Sequence, residues 1–179
     1  MKKLKIFALT FLLANSFWSC EKDDICAEGT PTTPNVVIEF YDAANPTTLK
    51  NVTNLKVIAN GMGEGIIFNP SASTEEQKYL FNGSKLFLPL KTTADNTVYN
   101  FIYNSGAANP ADTNTDVLSY DYARQDVFIS RACGFKTVFQ LNDSNPVLTD
   151  GDASLWIQSI TVSQPNIQNE NETHIKIYF

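Results

Sequence analysis

VFISRACGFKTVFQL, Val127–Leu141, holds two apolar runs about a turn: Val127–Cys133 and Lys136–Leu141 flank Gly134-Phe135. Val, Ile, Thr and Phe suit a pleated, half-buried surface, and a glycine between two such runs marks a turn. The stretch reads as a β-hairpin. Upstream, Asp116–Tyr122 (DVLSYDY) sets Leu118, Tyr120 and Tyr122 on one face, and Thr97–Asn104 (TVYNFIYN) does the same with Tyr99, Phe101 and Tyr103. Asn35–Tyr41 (NVVIEFY) alternates Val36, Ile38 and Phe40 against Val37, Glu39 and Tyr41. Leu55–Ala59 and Gly65–Phe68 flank the glycine-rich Asn60–Glu64 and are expected to pair as a hairpin. Lys78–Asn82 and Lys85–Leu90 are expected to pair across Asn82-Gly83; Pro89 lacks a ladder donor, so that strand lies at an edge or ends there. Trp156–Ser163 and Thr173–Phe179 complete the series.

No part of residues 20–179 carries a convincing 3.6-residue period. Roughly nine or ten short strands with turn signals between them predict an all-β chain, a single antiparallel β-sandwich over residues 35–179 in preference to a barrel. There is no internal repeat and no sign of a second domain.

The N-terminal segment has a different character. Lys2, Lys3 and Lys5 precede the uncharged apolar run Ile6–Ala14. That run falls far short of the roughly 20 residues a spanning helix needs, so residues 1–19 read as a signal peptide. Ser19-Cys20 at its end resembles a bacterial lipobox, in which the Cys is acylated, commonly with palmitate, and becomes the mature N-terminus. One acyl chain binds a membrane marginally; several, at about 0.8 kcal/mol per buried CH₂, hold it there. Glu21-Lys22-Asp23-Asp24 directly after it resembles the Bacteroidota lipoprotein surface-export signal. Residues 20–34 then read as a tether, ending in the extended Thr30-Pro31-Thr32-Thr33-Pro34. The expected location is the outer membrane, lipid-anchored, surface-exposed in preference to periplasm-facing.

The chain has 13 basic and 19 acidic residues; removing residues 1–19 takes away three Lys and leaves 10 against 19, a net charge of −9. An acidic chain without a basic stripe argues against nucleic acid and against direct binding of anionic head groups. With Cys20 assigned to the lipid, Cys26 and Cys133 form an even pair in an oxidising compartment and read as a disulfide, the alternative being two free thiols.

Constellations that carry chemistry are weak. Gly61, Gly63 and Gly65 are followed by Ile66-Ile67-Phe68, a strand pattern, so the phosphate cradle lacks its helix and a turn is the better reading. Asp112–Asp116 (DTNTD) begins like a calcium loop, but Val117 stands where Gly is needed and Ala123 where Glu is needed. Asp143, Asn145, Asp150 and Asp152 offer a looser oxygen set, for which turn formation is the better reading. The single His, His174, is expected to face solvent from the last strand. No metal, cofactor or catalytic residue is assigned, and the chain is expected not to be an enzyme. Trp156, Tyr99, Tyr103, Tyr120 and Tyr122 are the candidate ligand-binding residues, as a platform on which sugar rings stack; core packing is the competing reading.

DDIC (Asp23–Cys26), TPTTP (Thr30–Pro34), IEFYD (Ile38–Asp42), LPL (Leu88–Leu90), DYARQDVFISRACGFKTVFQL (Asp121–Leu141) and HIKIYF (His174–Phe179) carry a broader resemblance. On these stretches Cys20–Phe179 resembles an uncharacterised family of small Bacteroidota lipoproteins, a domain of unknown function. The resemblance implies an exported lipoprotein that works with an outer-membrane β-barrel protein, and it supplies no active-site residues. The expected function is thus a non-enzymatic module that binds or supports an envelope protein partner. A surface glycan-binding or carbohydrate-active module is the alternative.

Overall fold

A computed structural model describes residues 25–143 and 145–179. Residues 1–19, read above as a signal peptide, and Cys20, Glu21, Lys22, Asp23 and Asp24 lie outside the described residues.

Among the described residues there are twelve strands: β1 Val36–Asp42, β2 Asn45–Leu49, β3 Val52–Ala59, β4 Leu80–Gly83, β5 Lys85–Leu88, β6 Asn96–Tyr103, β7 Asn114–Ser130, β8 Gly134–Leu141, β9 Val147–Asp150, β10 Ser159–Val162, β11 Asn166–Ile167 and β12 Ile175–Tyr178. They make the expected sandwich of two sheets. One runs β10-β12-β1-β2, with β5 also on β1; the other runs β11-β8-β7-β6-β3-β4, with β9 on β7. All described pairings are antiparallel except β1 with β12, which is parallel.

Alternation decides which side chains fill the space between the sheets, because successive residues of a strand point to opposite faces. Val36, Ile38 and Phe40 of β1, Leu86 and Leu88 of β5, and Ile175 and Ile177 of β12 are buried. They share one core with Leu55 and Val57 of β3, Phe101 of β6, Leu118 of β7, and Phe139 and Leu141 of β8. Fully burying each such side chain contributes about 1.5–3 kcal/mol.

Several local expectations are corrected. Gly65–Phe68 forms no strand; β3 pairs instead with β4 and β6. The stretch touches β3 through one bond, Ile66 N–H to the Val57 carbonyl at 2.8 Å. β4 and β5 do not form a hairpin. β4 pairs with β3 and β5 with β1, so the chain changes sheets at Ser84, whose carbonyl accepts the Phe40 N–H at 2.9 Å. Asp116–Tyr122 and Val127–Ser130 are parts of one 17-residue strand, β7. A single helical turn, Glu75–Lys78, was not anticipated; Thr74 caps it by accepting the Gln77 N–H.

By contact density the chain divides into two compact units, one holding Pro31–Val127 with Lys136–Phe179 and the other holding Phe128–Phe135 with the described residues 25–30. The first is the sandwich. In the second, Cys26 and Cys133 are joined by a disulfide, as the count of cysteines suggested, with Cα atoms 4.8 Å apart. The Thr30 N–H and hydroxyl both bond the Ala27 carbonyl, closing a turn in which Gly29 takes φ +80°. The Cys133 N–H bonds the Ser130 hydroxyl at 3.0 Å, and Gly134 follows with φ +71°, a conformation glycine adopts without steric cost.

Candidate functional site

The five aromatic candidates are not gathered on one exposed face. Tyr99, Tyr120 and Tyr122 lie in the core, each 3% exposed or less. Tyr103 and Trp156 are half-buried and stack on each other with centroids 5.2 Å apart, so each ring covers the face of the other. Phe179 closes the cluster, lying edge-on to Trp156 at 5.5 Å and tilted against Tyr103 at 6.1 Å. The Trp156 indole N–H donates to the Phe101 carbonyl at 3.1 Å. A sugar ring needs an open aromatic face; the three core tyrosines offer none, and the stack takes up one face each of Tyr103 and Trp156.

The hydroxyls explain why tyrosine rather than phenylalanine occupies two of these positions. Tyr99 donates to the Pro89 carbonyl, and Tyr122 donates to the Lys91 carbonyl at 2.9 Å. The Tyr122 oxygen also lies 2.7 Å from the Thr97 hydroxyl, which accepts the Lys91 N–H at 3.0 Å. Together they hold the crossover from β5 to β6. Burial raises the ionisation of all three tyrosines above the ordinary phenol range, so all stay protonated and able to donate.

His174 is also corrected. It is buried rather than solvent-facing, and its Nδ1 accepts the Val37 N–H at 2.9 Å. Burial pushes its pKa below the usual imidazole value, which keeps it neutral and able to accept. Asp116 is buried as well, and DTNTD had suggested it only as part of a failed calcium loop. Its carboxylate accepts the Ile157 N–H at 2.8 Å, fixing the segment that carries Trp156. Burial, reinforced by Asp150 and Asp152 and opposed by the backbone bonds, raises its pKa to about 6. The sequence does carry a signal for it: Asp116 has the inward parity of Leu118, Tyr120 and Tyr122.

The loose oxygen set makes turns. Asp152 accepts the Thr115 N–H at 2.7 Å, Asp150 accepts the Asp152 N–H at 2.9 Å, and the Asn145 side chain accepts the Asp121 N–H at 3.1 Å. Among the described residues no three His, Cys, Asp or Glu side chains are placed to hold a metal, and no helix is long and apolar enough to cross a membrane.

Among the described residues, two surface features are the strongest candidates to meet a ligand or partner. In the sandwich, a polar cleft of about 630 Å³ is lined by Asp95, Tyr122, Arg124, Asp126 and Asn142. Its charges already have partners: Arg124 Nε lies 2.5 Å from Asp95 and its Nη1 donates to the Thr92 carbonyl, while Asp126 accepts the Thr137 hydroxyl at 2.8 Å. In the disulfide-closed unit, Phe128 and Phe135 are 56% and 67% exposed and meet edge-to-face with centroids 5.3 Å apart. Ile25, 84% exposed, belongs to the same unit, where it lines an open hollow of about 680 Å³ with Ala27, Thr30, Ile129 and Arg131. Sequence reading did not single out these rings. Phe128 continues the even-numbered inward face of β7 past Arg124 and Asp126, and an apolar residue beyond two charges on that face was the available signal.

Residues 54–179 match the model of a family of unknown function, DUF6452. The chain belongs to that family. The DUF6452 match takes in Cys133 and the β7–β8 turn; β1 and Cys26 precede it. Comparison with curated proteins and with solved structures gives no match.

Proposed function

We infer that this DUF6452 chain is a lipid-anchored outer-membrane lipoprotein of Bacteroidota type, acylated on Cys20 and displayed at the cell surface. In this reading it is a non-enzymatic β-sandwich that binds or supports an envelope protein, an outer-membrane β-barrel being the favoured partner. The observation that carries it is the Cys26–Cys133 disulfide. Such bonds form and persist in oxidising compartments, in keeping with the basic-then-apolar signal segment and the Cys at its end. The acidic Glu21–Asp24 stretch after Cys20 is the basis for surface display.

Binding of a protein is favoured over binding of a glycan because Tyr99, Tyr120 and Tyr122 are spent on the core and Trp156 on Tyr103. The test is crosslinking in intact envelopes with tagged protein, beside glycan-array binding of the purified sandwich. Reproducible recovery of one envelope protein supports the reading. Saturable glycan binding with no crosslinked protein would overturn it.

A further inference from the structure

We propose that the β7–β8 turn is a membrane-contacting element whose Phe128 and Phe135 rings enter the interfacial layer of the bilayer that holds acylated Cys20. The proposal rests on the lipoprotein reading and adds a lipid-facing surface to it. Cys26 lies six residues on from Cys20, and an extended chain covers at most about 3.5 Å per residue, or roughly 20 Å in all. The disulfide adds 4.8 Å between Cα atoms, and Phe135 follows two residues after Cys133. An acyl group at Cys20 thus confines the aromatic turn to the neighbourhood of the lipid surface, where a short tether makes even weak contact frequent.

The chemistry of the turn fits that location. Phe128–Phe135 (FISRACGF) contains no carboxylate and one cation, Arg131, in a chain whose mature part is strongly acidic. Phe128 and Phe135 already meet each other edge-to-face and leave their outer surfaces in water. Phenylalanine is among the side chains that interfacial elements bury at the boundary of head groups and acyl chains, and an arginine stem can lie along it with its guanidinium at the phosphates. A single cation beside an acidic tether gives little electrostatic attraction, so the contact is driven by apolar burial and does not require anionic lipid.

The experiment uses the full protein, produced and acylated in its own envelope, purified and reconstituted in phosphatidylcholine vesicles. Phe135→Trp supplies an exposed reporter of similar size, read above the Trp156 background of the unsubstituted protein. Vesicles made with phosphatidylcholine brominated near the top of the acyl chain should remove most of the added emission, which should also be blue-shifted. Breaking the disulfide in that variant with Cys26→Ser/Cys133→Ser should restore much of it. Mass spectrometry of the same preparation reads the N-terminus. Acylated, vesicle-bound protein with an unquenched, water-exposed indole overturns the insertion and leaves the lipoprotein reading standing. Shielding that depends on protein density without bromine quenching means a second copy covers the rings and likewise overturns it. Protein without an acylated Cys20 that stays off the vesicles overturns both.

Discussion

Val37 and His174 exchange two hydrogen bonds: the Val37 N–H donates to His174 Nδ1, and the His174 N–H donates to the Val37 carbonyl, each at 2.9 Å. The side chain thereby substitutes for a main-chain acceptor at the point where β12 comes alongside β1. Immediately beyond it the parallel register begins, Ile38 opposite Ile175 and Phe40 opposite Ile177. One imidazole thus helps align the first and last strands.

His174→Leu fills the space with an apolar side chain of similar size but leaves the buried Val37 N–H without an acceptor. The expected loss is about 1–3 kcal/mol in urea unfolding. The wild-type bond also has a pH signature. Because burial holds the folded pKa below the unfolded value, the stabilisation is present above about pH 6.5 and declines as pH falls below it. In His174→Leu this contribution to acid sensitivity should vanish; an unchanged urea midpoint would contradict the role.

Asp116 works in the opposite direction. Its folded pKa, about 6, lies above the unfolded value, so its contribution is greatest below about pH 4 and is lost as pH rises through 6. Asp116→Asn keeps an oxygen to accept the Ile157 N–H and removes the charge. The variant should be more stable than wild type at pH 7, by at most about 3 kcal/mol at 1.36 kcal/mol per pKa unit. It should match wild type more closely at pH 4. Unfolding midpoints across that range provide the check, and a variant less stable at both pH values would contradict this account.

Loss of the disulfide loosens the unfolded chain over a sequence separation of 107 residues. Cys26→Ser/Cys133→Ser should therefore cost about 2–4 kcal/mol, with a lower melting temperature under non-reducing conditions. Equal melting of wild type and variant would mean the bond constrains little in the unfolded chain.

Trp156→Ala removes an indole that covers Tyr103, abuts Phe179 and donates to Phe101. A destabilisation of about 2–4 kcal/mol is expected, somewhat below a fully buried Trp because the ring is half-buried. Thermal unfolding measures it. A variant as stable as wild type that loses glycan binding would restore the ring to a ligand site.

Much of the sandwich was legible because β1, β6, β7 and β12 each set apolar or aromatic side chains at every second position, Val36, Ile38 and Phe40, then Tyr99, Phe101 and Tyr103, then Leu118, Tyr120 and Tyr122, then Ile175 and Ile177. The pairing of β4 and β5 was not. Leu80 and Phe81 before Ser84, and Leu86 and Leu88 after it, face a core equally well in a hairpin or in two different sheets; periodicity fixes a face and not a partner. β2, Asn45–Leu49, is exposed along its length and so carries no burial pattern to read. His174 misled because it precedes the alternating residues of β12 and turns inward to a backbone donor that no local signal announces. The disulfide followed from counting cysteines. The exposed Phe128–Phe135 pair did not emerge, since the one cue, an apolar Phe128 beyond Arg124 and Asp126 on the same face, does not tell an exposed ring from a core one until burial is known.

The central claim is that an acylated tether is stapled to the β7–β8 turn. Non-reducing peptide mass spectrometry of the protein isolated from its native envelope tests it most directly. The account predicts an N-terminal peptide that begins at acylated Cys20 and is joined through Cys26 to the peptide carrying Cys133. A mature chain that begins elsewhere, or Cys26 and Cys133 both open to alkylation before reduction, would contradict it.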